Sequence, residues 1–293
     1  MSDLKLTVVI FGAGGFIGAT LAKQLKAEGH AVVALSRQVC DMLDPGSVQR
    51  TLEHVPTPYS VVHTACLSRH EQDDFGALTK NVAMVENFIR VIRPGSVRSV
   101  VYLSSTDVYG DAPLNPITEN TMLAPAWYYA LSKYTNESLL MRSGQLDCPV
   151  TVLRLPGIYG PYDRGRSILG MFARKVVSGD RITIYGDGST QRDFVLVSDL
   201  CEIIRRFLIC PVPGVFNVAN GRSLRLMDIL QTLSALSGKK LNVAMAPEGS
   251  RSHDLVFDVS RLQAALGGLV MTPFQEGARR LLDFLKDESE KPL

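Results

Sequence analysis

At 293 residues, 46% of them hydrophobic and 20% charged, the chain has the make-up of a folded globular protein and calls for no disordered region. The net charge of +2 is spread along the sequence, and its densest basic spots are the pairs Arg205-Arg206, Lys239-Lys240 and Arg279-Arg280, which read as solvated helix faces and argue against a nucleic-acid footprint. The five cysteines (Cys40, Cys66, Cys148, Cys201, Cys210) are odd in number and lack C-x-x-C spacing, which argues against a disulfide framework or a zinc site and fits a reducing cytoplasm.

The polar start, Met1 to Lys5, shows no basic-then-apolar leader pattern, and no apolar run nears the ~18 residues of a membrane span, so a cytoplasmic location is the expectation. Leu6 to Phe11 reads as the first strand. Phe16 to Glu28 follows as a helix, with Ile17, Leu21 and Leu25 on one face and Gly29 as its stop. Ala31 to Leu35 is the second strand, and Asp44-Pro45-Gly46 opens a short helix. Next come a strand at Ser60 to Thr64, a helix near Leu78 to Ile92, a strand at Ser99 to Ser104, a helix from Tyr129 and a strand at Val150 to Leu155.

Such alternation predicts an α/β, doubly wound parallel sheet of the Rossmann kind, its strands joined by right-handed crossovers. Beyond Pro156 the pattern loosens into turns such as Tyr159-Gly160-Pro161 and Tyr185-Gly186-Asp187-Gly188. That shift predicts a smaller mixed lobe over the mouth of the sheet. The expected division is a sheet domain at 1–160, with 193–219 returning to it, and a substrate lobe at 161–192 plus 220–293.

Gly12-Ala13-Gly14-Gly15-Phe16-Ile17-Gly18 sits between the first strand and its helix. It departs from G-x-G-x-x-G at Ile17 but keeps glycines at 12, 15 and 18. Glycines let a pyrophosphate approach the backbone, and the helix N-terminus attracts its charge, so a dinucleotide is the expected ligand. After strand two, where an NAD enzyme usually offers an acid to the ribose 2′-hydroxyl, stand Ser36 and Arg37. Both suit a 2′-phosphate, which favours NADP(H) over NAD(H). Asp41 is placed to accept from the adenine amino group.

In a helix Tyr129 and Lys133 lie at i and i+4 on one face. A neighbouring ammonium, with the charge of a bound nicotinamide, would draw the phenol from its usual pH ~10 toward the range useful for acid/base work. The Ser104-Ser105-Thr106 run supplies a hydroxyl to orient the reacting oxygen.

With Gly12/Gly15/Gly18, Asp41-Met42-x-Asp44, His63-Thr64-Ala65, Ser105, Tyr129-x-x-x-Lys133 and Arg154-x-x-x-x-Tyr159-Gly160-Pro161, the chain resembles the extended short-chain dehydrogenase/reductase family over nearly its whole length. Ile184-Tyr185-Gly186-Asp187-Gly188 with Gln191-Arg192-Asp193-Phe194-Val195 is similar to its nucleotide-sugar branch of epimerases, dehydratases and 4-keto reductases. The resemblance implies catalysis by Ser105, Tyr129 and Lys133. It implies cofactor contacts at Gly12, Gly15, Phe16, Ile17, Gly18, Ser36, Arg37, Asp41, Met42, Thr64, Ala65, Tyr129, Lys133 and Pro156. Substrate contacts are implied at Ser105, Thr106, Asp107, Tyr185, Arg192 and Arg251, with the two arginines on one diphosphate and Tyr185 by the base. Pairing of two copies through helices of the sheet domain is a further implication; no metal is implied.

Two departures narrow the chemistry. Dehydratases of the branch carry Thr-Asp-Glu where this chain has Ser105-Thr106-Asp107, and many epimerases have Asn where this chain has Gly157. The expected function is therefore reduction of a 4-keto hexose on a nucleoside diphosphate by NADPH. An NAD-retaining 4-epimerase is the alternative, and a non-catalytic NADP(H) sensor is the reading from another class, which the complete Ser/Tyr/Lys set argues against.

Overall fold

The computed structural model describes residues 4–163, 165, 167–247 and 253–290. In chain order the elements are β1 (Thr7–Phe11), α1 (Phe16–Ala27), β2 (Ala31–Leu35), α2 (Pro45–Glu53), β3 (Tyr59–His63), α3 (Phe75–Val91) and β4 (Val97–Ser105). A 3-10 turn (Thr106–Tyr109) leads on to α4 (Tyr128–Arg142), β5 (Val150–Leu155), β6 (Gly157–Tyr159), α5 (Ile168–Ser178) and β7 (Ile182–Tyr185). The remainder is β8 (Gln191–Arg192), β9 (Phe194–Leu196), α6 (Val197–Ile209), β10 (Gly214–Asn217), β11 (Leu224–Arg225), α7 (Leu226–Ser237), β12 (Val243–Ala246), α8 (Ser260–Ala265) and α9 (Phe274–Glu290).

One compact unit holds residues up to 110, 123–155 and 201–216. Its six-stranded sheet has the order β10-β5-β4-β3-β1-β2, and every pairing from β2 through β5 is parallel. The apolar runs explain the strands: β3 and β5 are buried along their whole length, as strands covered on both faces must be. Helices cover the sheet with stripes at helical spacing. In α1 the buried residues are Gly18, Leu21, Ala22 and Leu25, and in α2 they are Val48 and Leu52. Side chains set the helix starts, since Asp44 accepts from Gly46 N–H at 2.9 Å and Asp74 from Ala77 N–H at 2.8 Å. The Asp74 cap also explains why α3 begins at Phe75, three residues before the apolar pattern suggests.

The order reverses at β1, with β2 on one side and β3 on the other. Ligands of open parallel sheets bind outside the strands' carboxyl ends at such a reversal, and the glycine turn leaves β1 at that end.

The second unit holds 111–122, 156–200 and residues from 217 on. Its core gathers Tyr159, Leu169, Phe172, Ile184, Phe194, Ile229, Leu233, Leu281 and Leu285. Its strands form two parallel pairs, β6 with β9 and β7 with β12, and one antiparallel pair, β8 with β11. The division differs from the expected one in three places, the first being the end of β5, where residues 156–160 belong to this unit and not to the sheet unit. Residues 111–122 belong here because Ile117 bridges Phe257 while Asn115 donates to Asp254 O at 2.8 Å and accepts from Val256 N–H at 2.9 Å. The stretch returning to the sheet unit is 201–216, shorter than 193–219, because β9 pairs with β6 in the second unit.

Candidate active site

The turn after β1 is held by backbone bonds. Gly12 and Ala13 N–H both donate to Leu35 O, at 2.9 and 3.0 Å, and Gly15 N–H donates to Gly12 O at 3.0 Å. Gly12 has φ +83°, a left-handed backbone that favours glycine, and a Cβ there would lie 2.5 Å from Thr64 Oγ1. A Cβ on Gly18 would lie 2.4 Å from Gly12 O, so this glycine lets α1 pack onto the turn. Gly15 is different. The nearest atom to a Cβ there is Gly12 O at 3.4 Å, and no side chain caps α1. Phe16, Ile17 and Gly18 form the first turn of that uncapped helix. The cradle therefore fits a pyrophosphate: Gly15 puts no side chain before a helix N-terminus that no side chain caps.

Other expected cofactor contacts border the same strand ends. Thr64 N–H and hydroxyl both donate to Phe11 O, at 2.9 and 2.8 Å, which ties β3's exit, and with it Ala65, to β1. Ser36 O accepts from Val39 and Cys40 N–H, forming the turn after β2 that leaves Arg37 exposed. Asp41 is exposed and accepts from Leu43 N–H at 3.0 Å, whereas Met42 is buried, its carbonyl held by Asn87 Nδ2 at 2.9 Å. Pro156 follows the last residue of β5 and opens the second unit.

Tyr129 and Lys133 fall on one face of α4, as their spacing predicts, with Lys133 Nζ 5.5 Å from the centre of the Tyr129 ring. Lys133 is buried; its Nζ donates to Leu103 O at 2.7 Å and lies 5.2 Å from the Tyr102 ring centre. Ser105 lies two residues beyond Leu103 on the same strand, and its Oγ accepts from Asp107 N–H at 3.1 Å. Ser104 points elsewhere, donating to Glu137 Oε1. Of the two serines, Ser105 is the one left at the strand's exit.

The protein's own groups act on Tyr129 in opposite directions. Tyr129 is half-buried, and desolvation by the surrounding protein raises the phenol above its ordinary range; Lys133 lowers it, but by less, while Cys66, Asp107 and Tyr102 add to the rise. Burial works against the Lys133 charge as well, yet Cys66, Tyr102 and Tyr129 more than offset it, and the ammonium is held above the usual lysine value. Without a bound nicotinamide charge, the site holds a protonated phenol beside a cation.

Two buried groups behind these residues complete the setting. His63 packs between Phe11 and Tyr102, at ring-centre distances of 5.9 and 5.6 Å; burial and then the Lys133 charge push its imidazole down to about 3. Arg154 makes a two-pronged pair with Glu137 (2.7 and 3.1 Å) and donates to Tyr109 OH at 2.9 Å. This pair is enclosed, and it ties α4 to β5.

Among the expected substrate contacts, Thr106 is buried with its hydroxyl on Leu155 O at 3.2 Å, a bond that follows from the pairing of β4 with β5. Asp107 Oδ2 lies 3.3 Å from Arg69 Nη1, a partner the motif reading missed. In the second unit Tyr185 is exposed at the end of β7. Arg192 is half-buried, its Nη1 donating to Gln191 O and His253 O at 2.8 and 2.7 Å. Arg251 lies outside the described residues. A Cβ on Gly157 would lie 2.7 Å from the Phe194 ring, so an asparagine has no room there as the second unit is packed. Among the described residues no His, Cys, Asp or Glu cluster could hold a metal ion, and no helix is long and apolar enough to cross a membrane.

Residues 8–219 match the model of the NAD dependent epimerase/dehydratase family. The chain is 28% identical over 297 residues to a dTDP-4-dehydro-6-deoxy-D-allose reductase of a Streptomyces species, covering 89% of this chain and 90% of that protein. It is 27% identical over 316 residues to the UDP-glucose 4-epimerase of Mycolicibacterium smegmatis, covering 97% and 100%. The crystal structure of the Thermus thermophilus UDP-glucose 4-epimerase in complex with NAD superposes with a TM-score of 0.83 at 25% identity, covering 96% of this chain and 99% of that one.

Proposed function

The chain belongs to the NAD dependent epimerase/dehydratase family, and on that premise we propose that it binds NADPH and reduces the 4-keto group of a hexose carried on a nucleoside diphosphate. The observation that carries this reading is the placement of Tyr129. Its phenol shares one face of α4 with the buried Lys133, whose Nζ lies 5.5 Å from the ring centre, and a protonated phenol so placed is the proton donor that reduction of a carbonyl requires. A bound nicotinamide supplies the hydride. Tyr129 gives its hydroxyl proton to the carbonyl oxygen as the carbon becomes a carbinol, Ser105 donates a hydrogen bond to the same oxygen, and Lys133 stabilises the phenolate left behind.

Three further features support the finer choice. Thr106 stands where the dehydratase aspartate would, and Arg69 engages Asp107, the counterpart of the dehydratase glutamate. Gly157 faces Phe194 where an epimerase asparagine would stand. Ser36 and exposed Arg37 suit a 2′-phosphate. In the second unit the guanidinium of Arg192, oriented by two carbonyls, is assigned to the substrate diphosphate, together with Arg251, and the exposed Tyr185 ring to the base.

A groove of about 340 Å³ runs along α3 and α4, lined by Leu78, Val82, Ala83 and Leu131 among others. Leu131, Tyr128, Tyr134 and Met141 are exposed on α4. We assign this face to a second copy of the chain, and Leu131→Glu should leave a monomer by light scattering; a dimer in that variant would contradict the assignment. For the activity, the test is to denature the purified protein and identify any dinucleotide released, then to compete substrate with a free nucleoside diphosphate. A site that arrives empty and fills with NADPH, with competition against substrate alone, is the expected outcome. Tightly retained NAD+ would favour the 4-epimerase, and absence of competition at millimolar concentration would remove the nucleotide from the substrate.

A further inference from the structure

The loop between β3 and α3, residues 64–74, contributes nothing to the Ser/Tyr/Lys set, yet it reaches the supports of that set at several points. Leu67 is bound through both backbone groups by the Asn81 side chain, at 2.7 and 3.0 Å, and Asn81 Nδ2 also lies 3.2 Å from Ser132 Oγ in α4. Arg69 pairs with Asp107, whose N–H in turn rests on Ser105. The loop ends in two acids where one helix cap is needed. Asp74 is the cap of α3. Asp73 is left over, and its Oδ1 accepts from the backbone N–H of Tyr129 at 2.8 Å, across 56 positions of sequence.

That bond meets a need of α4. The cap residue of this helix is Trp127, and it offers no capping side chain. Tyr129 is the second helical residue, and its N–H is one of those a helix start leaves without an internal partner. An acid there also faces the positive end of the helix dipole. Lys133, one turn on, donates to Leu103 O. The Asp73 bond is the one that holds the Tyr129 N–H, while the ammonium rests on Leu103 O and faces Cys66 of the same loop.

Resting on the reductase reading above, we propose that Asp73 is a positioning residue for the reaction: by capping α4 from the β3–α3 loop it sets the Tyr129 phenol against Lys133 and the reacting oxygen. Fraying of an uncapped first turn would move the phenol while leaving the ammonium in place. Displacements of about an ångström at a reacting group cost on the order of a hundredfold in rate.

The experiment compares Asp73→Ala with Asp73→Asn, which keeps an acceptor oxygen, using two readouts. The first is steady-state turnover of a nucleotide-linked 4-keto sugar with NADPH. Asp73→Ala should lower kcat roughly tenfold to a hundredfold with KM and NADPH affinity near wild type, and Asp73→Asn should recover most of the loss. The second is the fluorine NMR titration of 3-fluorotyrosine placed at position 129, which needs no substrate. Its midpoint should move in Asp73→Ala and stay in Asp73→Asn. An unchanged midpoint in Asp73→Ala, or Asn behaving as poorly as Ala, would overturn the proposal. If the Ala variant does not fold, Asp73→Ser, whose oxygen is too short to reach, takes its place with the same two criteria. Should wild-type protein reduce no such sugar, the reductase reading fails, and the fluorine titration still decides whether Asp73 places the phenol.

Discussion

Replacing Gly15 with Ala separates the needs of the fold from the needs of a ligand. The protein tolerates the methyl group: φ −85° and ψ 170° suit any L residue, and the nearest atom to the new Cβ is Gly12 O at 3.4 Å. Losing glycine at a helix cap costs up to about 1 kcal/mol, and the stiffer unfolded chain returns about 0.4–1 kcal/mol, so thermal stability should hardly change. The methyl stands ~1.5 Å proud of the backbone, in the space where a pyrophosphate would meet the first N–H groups of α1. Losing even one charge-assisted hydrogen bond of roughly 1.5–3 kcal/mol weakens binding about tenfold to a hundredfold. Calorimetric titration with NADPH beside a thermal melt measures both sides. Gly18→Ala is the control, since its Cβ would press on Gly12 O at 2.4 Å and on Ala13 Cα at 2.9 Å, so stability should fall as well. A Gly15→Ala protein that binds NADPH as wild type does would refute the placement of the pyrophosphate.

Arg37→Ala should weaken NADPH binding roughly tenfold to a hundredfold and barely alter NADH binding; equal losses in parallel titrations would mean that Arg37 only stacks on adenine. Glu137→Gln leaves the Arg154 guanidinium enclosed without its counter-charge and should cost about 3–5 kcal/mol in urea unfolding, most of it recovered when Arg154→Leu is combined with Glu137→Met; a loss under about 1 kcal/mol by the same measurement would show that water reaches the pair. The depressed imidazole of His63 sets an acid response. Its folded value of about 3 lies below the ordinary 6.5, so the stability it contributes is complete above 6.5 and is lost as pH falls from there toward 3. Asp193 acts oppositely: burial lifts its carboxyl to about 6, so it favours the fold as pH falls from 6 toward 3.8. His63→Leu should therefore flatten the acid limb of the melting-temperature profile, and an unchanged limb would place the lability elsewhere.

What was legible in the sequence was local. Apolar spacing and glycine placement located β1, α1, β2 and β5 to within a residue or so, and the i, i+4 relation of Tyr129 and Lys133 is a property of any helix. Choosing Ser105 over Ser104 came from the family resemblance; that Ser104 donates to Glu137 is visible only in the structure. Features set by distant partners were out of reach. Nothing near residues 111–122 announces that Asn115 and Ile117 will bond residues 254–258, and nothing near Arg154 names Glu137 as its partner. The direction of the Tyr129 shift escaped the sequence for the same reason. The neighbouring cation is visible in the spacing, but the desolvation that outweighs it is tertiary. Asp73 left one trace, an Asp-Asp pair before a helix that needs a single cap.

Transfer of deuterium from the nicotinamide C4 of labelled NADPH tests the central claim most directly. The enzyme is mixed with a nucleoside-diphosphate 4-keto hexose, and the product sugar is analysed by mass spectrometry and NMR. The account predicts deuterium on the former keto carbon, formed in step with NADP+, and a loss of roughly 10²–10⁴-fold in rate with Tyr129→Phe. Sugar interconversion without uptake of deuterium from added NADPH, or a Tyr129→Phe enzyme as fast as wild type, would contradict it.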